Sequence, residues 1–228
     1  MELAKIKRQR ANDEVYQSLR QAILNRVFTP GERLQIDEIS AKLDVSQTPV
    51  RNAVQRLASE GLIEIRPRSG TFVATLTNRD IEETFELRIA LECLAAERAI
   101  KRMGEDEIAA MKDLVSRMVE PVTDDGGLLR RQEWNTEFHA ILIRAAGNQR
   151  LQQMYDELRA NIQIARIHVA EHNRGSRFDL EHAEHEAIIT ALEARDLEAL
   201  KANLTAHIDR ARTSLIAALE EQTKGSEQ

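Results

Sequence analysis

The chain has 228 residues, 42% hydrophobic and 31% charged, with a formal net charge of −6; its nine glycines and four prolines favour long helices over many turns. A single cysteine, Cys93, excludes an internal disulfide and fits a reducing compartment. MELAKIKRQR is followed by no apolar stretch, and no run reaches the ~18 apolar residues of a membrane span, so neither signal peptide nor membrane is expected and a cytoplasmic location is.

The charge is uneven. Residues 1–76 carry 12 Lys+Arg against 9 Asp+Glu, a net of +3, while residues 77–228 carry 20 against 29, a net of −9. All six histidines fall in the second part. A mildly basic head on an acidic, histidine-bearing body suggests two domains with different partners.

In chain order, residues 12–27 place Val15, Leu19, Ala22, Ile23 and Val27 on one helical stripe, with Asn12 as N-cap. Thr29-Pro30-Gly31 makes a turn, and Leu34 and Ile36 lead into a short helix over about 37–43. After a tight turn at Asp44-Val45, Ser46 is placed to cap a new helix with its side chain, and Pro49 falls in the first turn, where backbone N–H groups lack intrahelical partners. Val50, Val54 and Leu57 form its apolar stripe and Gly61 ends it. Its opposite face presents Gln47, Thr48, Arg51, Asn52 and Gln55, all hydrogen-bonding residues without a carboxylate. Residues 63–66 and 71–74 read as two short strands around Pro67-Arg68-Ser69-Gly70, with Arg66 and Arg68 near the tip. Three helices followed by a basic hairpin make a winged helix-turn-helix, in which the third helix enters the DNA major groove and the wing approaches the backbone or the minor groove.

From Thr77 the pattern is helical throughout. Residues 77–80 read as a linker, and six helices are expected at about 80–102, 105–119, 124–146, 149–172, 179–194 and 197–221. Residues 223–228 read as a flexible tail. The fold class expected is mostly α, a winged helix-turn-helix over 1–76 and an all-α bundle over 81–222.

The stretch from Leu43 to Val73 resembles the N-terminal signature of GntR-type transcription regulators, LxVSxTPVRxAxxRLxxEGLIxxxPxxGxxV. NTEFHAILIRAAGN, EHEAIITALEARDLEAL and NLTAHI resemble the all-helical FCD effector domain of the FadR-like subfamily, and six helices suit its VanR-like branch. The resemblance spans nearly the whole chain. It implies a homodimer that binds a palindromic operator and responds to a small organic-acid or sugar-acid effector. DNA contact is then expected from Ser46, Gln47, Thr48, Arg51, Asn52, Gln55, Arg66, Arg68 and Gly70. The family usually has Ser-Arg-Thr-Pro where this chain has Ser46-Gln47-Thr48-Pro49; arginine prefers guanine and glutamine adenine, so base preference shifts.

The family's metal motif falls on Asn135, His139, His185 and His207, with Asn135 standing where the family has Asp. Asn135 and His139 share a helix face by their i, i+4 spacing. Three imidazoles suit Zn²⁺, with Ni²⁺ as the second choice. The resemblance also puts a ligand-contacting arginine at Arg88, although the spacing alone lets Arg88 snorkel or pair with Glu92. His168 and His172 are read as structural, at the end of a helix, and His182 as exposed. Trp134 and Cys93 are read as packing residues. Besides a ligand-responsive regulator, a metal-dependent hydrolase and a DNA-binding dimer with a structural metal remain open; against the hydrolase, Glu137 points away from the ligand face and no HExxH occurs.

Overall fold

The computed structural model describes residues 8–24, 27–120, 125–168 and 174–225. Its contacts divide the chain into two compact units, Met1–Leu76 and Thr77–Gln228.

In the first unit, helix α1 (Arg8–Leu24) starts before the expected cap at Asn12. Val15, Leu19 and Ile23 are buried as the spacing requires, but Val27 lies beyond the helix and is exposed. Tyr16 joins the buried face, donates to the Glu60 carboxylate at 2.9 Å and carries the Arg56 guanidinium over its ring. After strand β1 (Arg33–Leu34) come helices α2 (Ile36–Lys42) and α3 (Gln47–Ser59). Ser46 holds the N-cap position with extended backbone, but its side chain makes no capping bond. An N-cap side chain accepts from the second or third helical N–H, and the third residue is Pro49, which removes one of those two donors. The other end is closed by backbone alone. Gly61, at φ +77°, donates to Ala58 O and Leu62 donates to Leu57 O, the paired bonds of a left-handed helix stop.

Strands β2 (Ile63–Arg66) and β3 (Gly70–Val73) form the hairpin, with Ile63 opposite Val73 and Arg66 opposite Gly70. The sequence reading of two strands misses the third: β1 pairs antiparallel with β3, giving the order β1-β3-β2. Two residues are too few to show a period, and buried Leu34 is its only apolar anchor.

The second unit has six helices among its described residues: α4 (Asn78–Ala99), α5 (Glu105–Met118), α6 (Asp125–Ala145), α7 (Gln149–His168), α8 (Arg174–Glu193) and α9 (Leu197–Gly225). Residues 77–80 are not a linker. Thr77 Oγ1 accepts from the Asp80 N–H and the Asp80 carboxylate accepts from the Thr77 N–H, a capping box that starts α4. Helix α8 begins earlier than residue 179, taking in Arg174 and Gly175, and α9 runs through 223–225 of the expected tail. The core gathers Phe138, Leu142, Met111, Ile188, Leu192 and Leu204 from four helices. Arg195, at φ +53° between α8 and α9, donates to Ile100 O and Met103 O at 2.8 Å and ties that turn to the end of α4. No helix among the described residues is long and apolar enough to cross a membrane.

Candidate functional site

Helix α3 separates its faces cleanly. Val50, Ala53, Val54 and Leu57 are buried, while Gln47, Thr48, Arg51, Asn52 and Gln55 are exposed, as is Ser46 before them. The outer face is already organised. Gln47 Nε2 donates to Asp37 Oδ1 of α2 at 2.5 Å, and Arg51 Nη2 donates to Gln47 Oε1 at 3.0 Å. At the wing, Arg66 is exposed, paired with Glu64 at 2.8 Å and stacked 4.7 Å from the Phe72 ring centroid. Arg68 turns the hairpin at φ +64° and is exposed. Gly70 has φ +125°, and a Cβ there would meet Arg33 Nε at 2.9 Å. Arg33 therefore lies against the wing turn, a cation that only the strand pairing reveals.

In the second unit the structure brings three of the four expected metal ligands together. His139 on α6, His185 on α8 and His207 on α9 are all buried, and their candidate ligand nitrogens lie within 4.8 Å of one another. Phe138 packs edge-on to the His185 ring at 4.5 Å and the His139 ring at 5.3 Å. Carboxylates orient two of the rings: Glu92 Oε2 is 2.7 Å from His139 Nδ1, and Glu184 Oε2 is 2.8 Å from His207 Nδ1. Glu184 is itself held by Nε and Nη2 of Arg210. Bonding at Nδ1 would leave Nε2 as the nitrogen to ligate a metal, the carboxylate–histidine arrangement common around bound metals.

Asn135 sits one turn before His139 and is buried. Its Nδ2 donates to Glu181 Oε1 at 2.8 Å, and its Oδ1 is buried without a hydrogen-bond partner. Glu181 also accepts from Arg131 Nη2 at 3.1 Å, and the Arg131 guanidinium lies 4.1 Å from the Phe178 ring centroid.

Arg88 does not snorkel. It is 1% exposed, and its Nε donates to Glu92 Oε1 at 2.7 Å. The same Glu92 oxygen accepts from the Tyr155 hydroxyl at 2.9 Å. Arg88 Nη1 is buried with no hydrogen-bond partner. Burial alone would raise the Glu92 carboxyl, but His139 and Arg88 outweigh it and hold it well below the usual carboxylate range. Burial, reinforced by the charges of His139, Arg88 and Arg210, keeps His207 well below the ordinary histidine value and so neutral near pH 7.

The residues fit a metal. Three imidazoles from three helices converge, His207 Nε2 and Asn135 Oδ1 are buried polar atoms without hydrogen-bond partners, and a nitrogen-rich set suits Zn²⁺ or Ni²⁺. Around the ligands, Tyr155 and Arg210 escaped sequence reading, whereas Glu92 is the partner offered by its i, i+4 spacing from Arg88 and Glu184 adjoins His185 in the sequence. Glu137 is half-exposed and pairs with Arg144, off the ligand face as its spacing implies. His182 is not an exposed residue at a helix start; it lies within α8, half-buried, 3.3 Å from Glu186. Cys93 is half-buried beside Thr205 rather than a core residue, and Trp134 packs against the core. The His168 side chain and His172 lie outside the described residues.

Two family models match the chain. Residues 11–73 match the bacterial regulatory proteins of the gntR family, and residues 83–210 match the FCD domain. The chain belongs to the GntR family and carries an FCD domain. It is 28% identical over 211 residues to the HTH-type transcriptional regulator YdhC of Bacillus subtilis, covering 91% of this chain and 92% of that one. It is likewise 28% identical over 205 residues to the HTH-type transcriptional repressor RspR of Escherichia coli, covering 88% and 86%. Escherichia coli McbR/YncC shares the fold, with a TM-score of 0.75 at 20% identity over 93% of this chain and 98% of that one. This GntR protein is thus a transcriptional regulator with a DNA-binding domain and an FCD effector domain, among relatives that are regulators and not enzymes.

Proposed function

We infer that this GntR regulator is a repressor that binds a palindromic operator as a homodimer and is modulated by a small carboxylate held beside a divalent metal. The observation that carries this reading is the cluster of buried His139, His185 and His207 in the same network as Arg88, whose Nη1 has no protein partner. A divalent ion held by neutral imidazoles in such a water-excluded site attracts an anion strongly.

Residues 1–76 form the DNA-binding domain and 77–222 the effector and dimerisation domain. On α3, Gln47, Thr48, Arg51, Asn52 and Gln55 meet base edges and phosphates, with Ser46 at the helix N-terminus. Arg66, Arg68 and the Gly70 turn meet the backbone from the wing. Asp37 holds Gln47, which in turn holds Arg51, so the free protein keeps both side chains ordered before DNA arrives.

In the effector domain, His139, His185 and His207 hold Zn²⁺ or Ni²⁺, with Asn135 Oδ1 as a neutral further donor. The ion supplies positive charge for an organic-acid or sugar-acid effector. Arg88 offers Nη1 to a carboxylate while Glu92 fixes its Nε. Glu92 and Glu184 set the rings of His139 and His207 through Nδ1. The name of RspR supports repression.

A thermal-shift panel of organic and sugar acids tests this reading. At least one acid should raise the melting temperature of the Zn²⁺-loaded protein and lose that effect in chelator or in His185→Ala. An acid that stabilises the metal-free protein equally would make the metal structural only, and no response to any acid would refute carboxylate sensing.

A further inference from the structure

Helices α6 and α8 meet in three successive rungs. Arg131, Asn135 and His139 recur at four-residue spacing on α6, and Phe178, Glu181 and His185 at three and four on α8, so each set shares one helix face. The rungs pair in order. The Arg131 guanidinium lies 4.1 Å from the Phe178 ring centroid, Asn135 Nδ2 donates to Glu181 Oε1 at 2.8 Å, and the His139 and His185 ring centroids are 5.8 Å apart. A neutral asparagine therefore stands between a buried cation and the histidine cluster.

A carboxamide can face a site in two ways. Its oxygen accepts hydrogen bonds and can ligate a metal; its NH₂ group only donates. The two ends have nearly the same shape, so packing does not choose between them. An ionised carboxylate does choose, because it only accepts and so takes the Nδ2 end. Glu181 takes that end here and leaves Oδ1 as the end with no protein partner. Oδ1 is buried without a hydrogen bond, which costs free energy until something binds it. Glu181 is itself fixed: its Oε2 accepts from Arg131 Nη2 at 3.1 Å, and the Arg131 and Glu181 side chains are only 6% and 16% exposed.

We propose that Glu181, held by Arg131, is a positioning residue for the metal site, turning the Asn135 carboxamide so that its oxygen and not its nitrogen is offered to the ion. The assignment rests on the metal reading above and adds the pair that lets a neutral amide serve in it. Glu181 need not touch the ion. A neutral amide is a weak ligand, and orienting it beforehand removes the cost of ordering it on binding.

The test is the Zn²⁺ affinity of the full chain, by competition with a chromophoric chelator and without DNA or acid, in a double-mutant cycle at positions 135 and 181. Glu181→Leu keeps the bulk and removes the acceptor. On its own it should weaken Zn²⁺ binding ~10- to 100-fold, the range for partners of metal ligands. Combined with Asn135→Asp it should cost about 2-fold or less relative to Asn135→Asp alone, because both ends of that carboxylate are oxygens and no orientation is needed. A lost negative charge near the ion, or a loosened fold, would weaken binding in both backgrounds alike. Arg131→Met with Glu181→Leu removes both members of the buried pair, leaves no orphan guanidinium, and should show the same dependence on position 135. Equal losses in the two backgrounds, or no loss in the first, overturn the role of Glu181 and leave the metal standing. A wild type that binds no Zn²⁺ overturns the metal reading and this inference with it.

Discussion

Glu92→Gln is the perturbation whose cost follows most directly from the geometry. Glu92 is fully buried and is the common partner of Arg88 Nε, the Tyr155 hydroxyl and His139 Nδ1. Glutamine keeps the shape and removes the charge, leaving the Arg88 guanidinium uncompensated in the bundle interior. Breaking a buried pair by removing one partner costs ~3–5 kcal/mol. For a unit of this size each kcal/mol moves the melting temperature by about 2–4 °C, so the second unit should melt ~6–20 °C lower. Replacing both partners, Arg88→Met with Glu92→Met, leaves no orphan cation and should cost less than Glu92→Gln alone, since apolar replacement of a buried pair is often near neutral. Calorimetric melting at neutral pH measures all three proteins. A Glu92→Gln protein that melts within ~2 °C of the wild type, or a double variant that loses more than the single one, would refute the idea that Glu92 stabilises the site by neutralising Arg88.

Arg51→Ala should lose ~1–3 kcal/mol of operator affinity with unchanged melting, because the side chain is exposed and bonded only to Gln47 among the described residues; wild-type affinity by fluorescence anisotropy at fixed salt would contradict it. Asn135→Asp should tighten Zn²⁺ binding and weaken binding of an acid effector, since the added negative charge partly neutralises the ion's pull; calorimetry showing both weakened would indicate damage to the site instead. The Asp80 carboxyl is held below its usual value by the Thr77 hydroxyl and N–H. Its folded pKa is depressed, so the cap contributes stability above the unfolded carboxylate range near ~3.9 and loses it as pH falls through the lower folded value. The acid-side decline in melting temperature should be shallower in Asp80→Ala, and identical slopes would remove the cap from the account.

Sequence reading went furthest where one helix states its own case. Pro49 near the start, Val50, Val54 and Leu57 inside and Gln47, Thr48, Arg51, Asn52 and Gln55 outside define α3 from local spacing, and Gly61 marks its end. The same reading failed on the Ser46 side chain, which makes no capping bond; Pro49, used to locate the helix, also deletes one of the two N–H groups that a cap could bind. Strand β1 was hidden because pairing with β3, not a period of its own, makes it a strand. In the second unit, family spacing pointed to His139, His185 and His207, but nothing local showed that Glu184 meets His207 across two helices or that Tyr155 reaches Glu92. Arg88 illustrates the limit. Leucines lie on more than one side of α4, so periodicity could not tell whether Arg88 points to water or inward, and only the positions of Glu92 and Tyr155 decide it.

The central claim is that a metal in the histidine site is needed for an acid effector to change DNA binding. It is tested by titrating a duplex operator, selected from a randomised library, with wild type and His185→Ala, each with Zn²⁺ and with chelator, with and without the best-stabilising acid. Typical coupling is ~1–3 kcal/mol, so the acid should shift the operator affinity of the Zn²⁺-loaded wild type by roughly 5- to 150-fold. The chelated wild type and His185→Ala should bind the operator normally and respond to the acid far less. An undiminished response in His185→Ala would contradict the account.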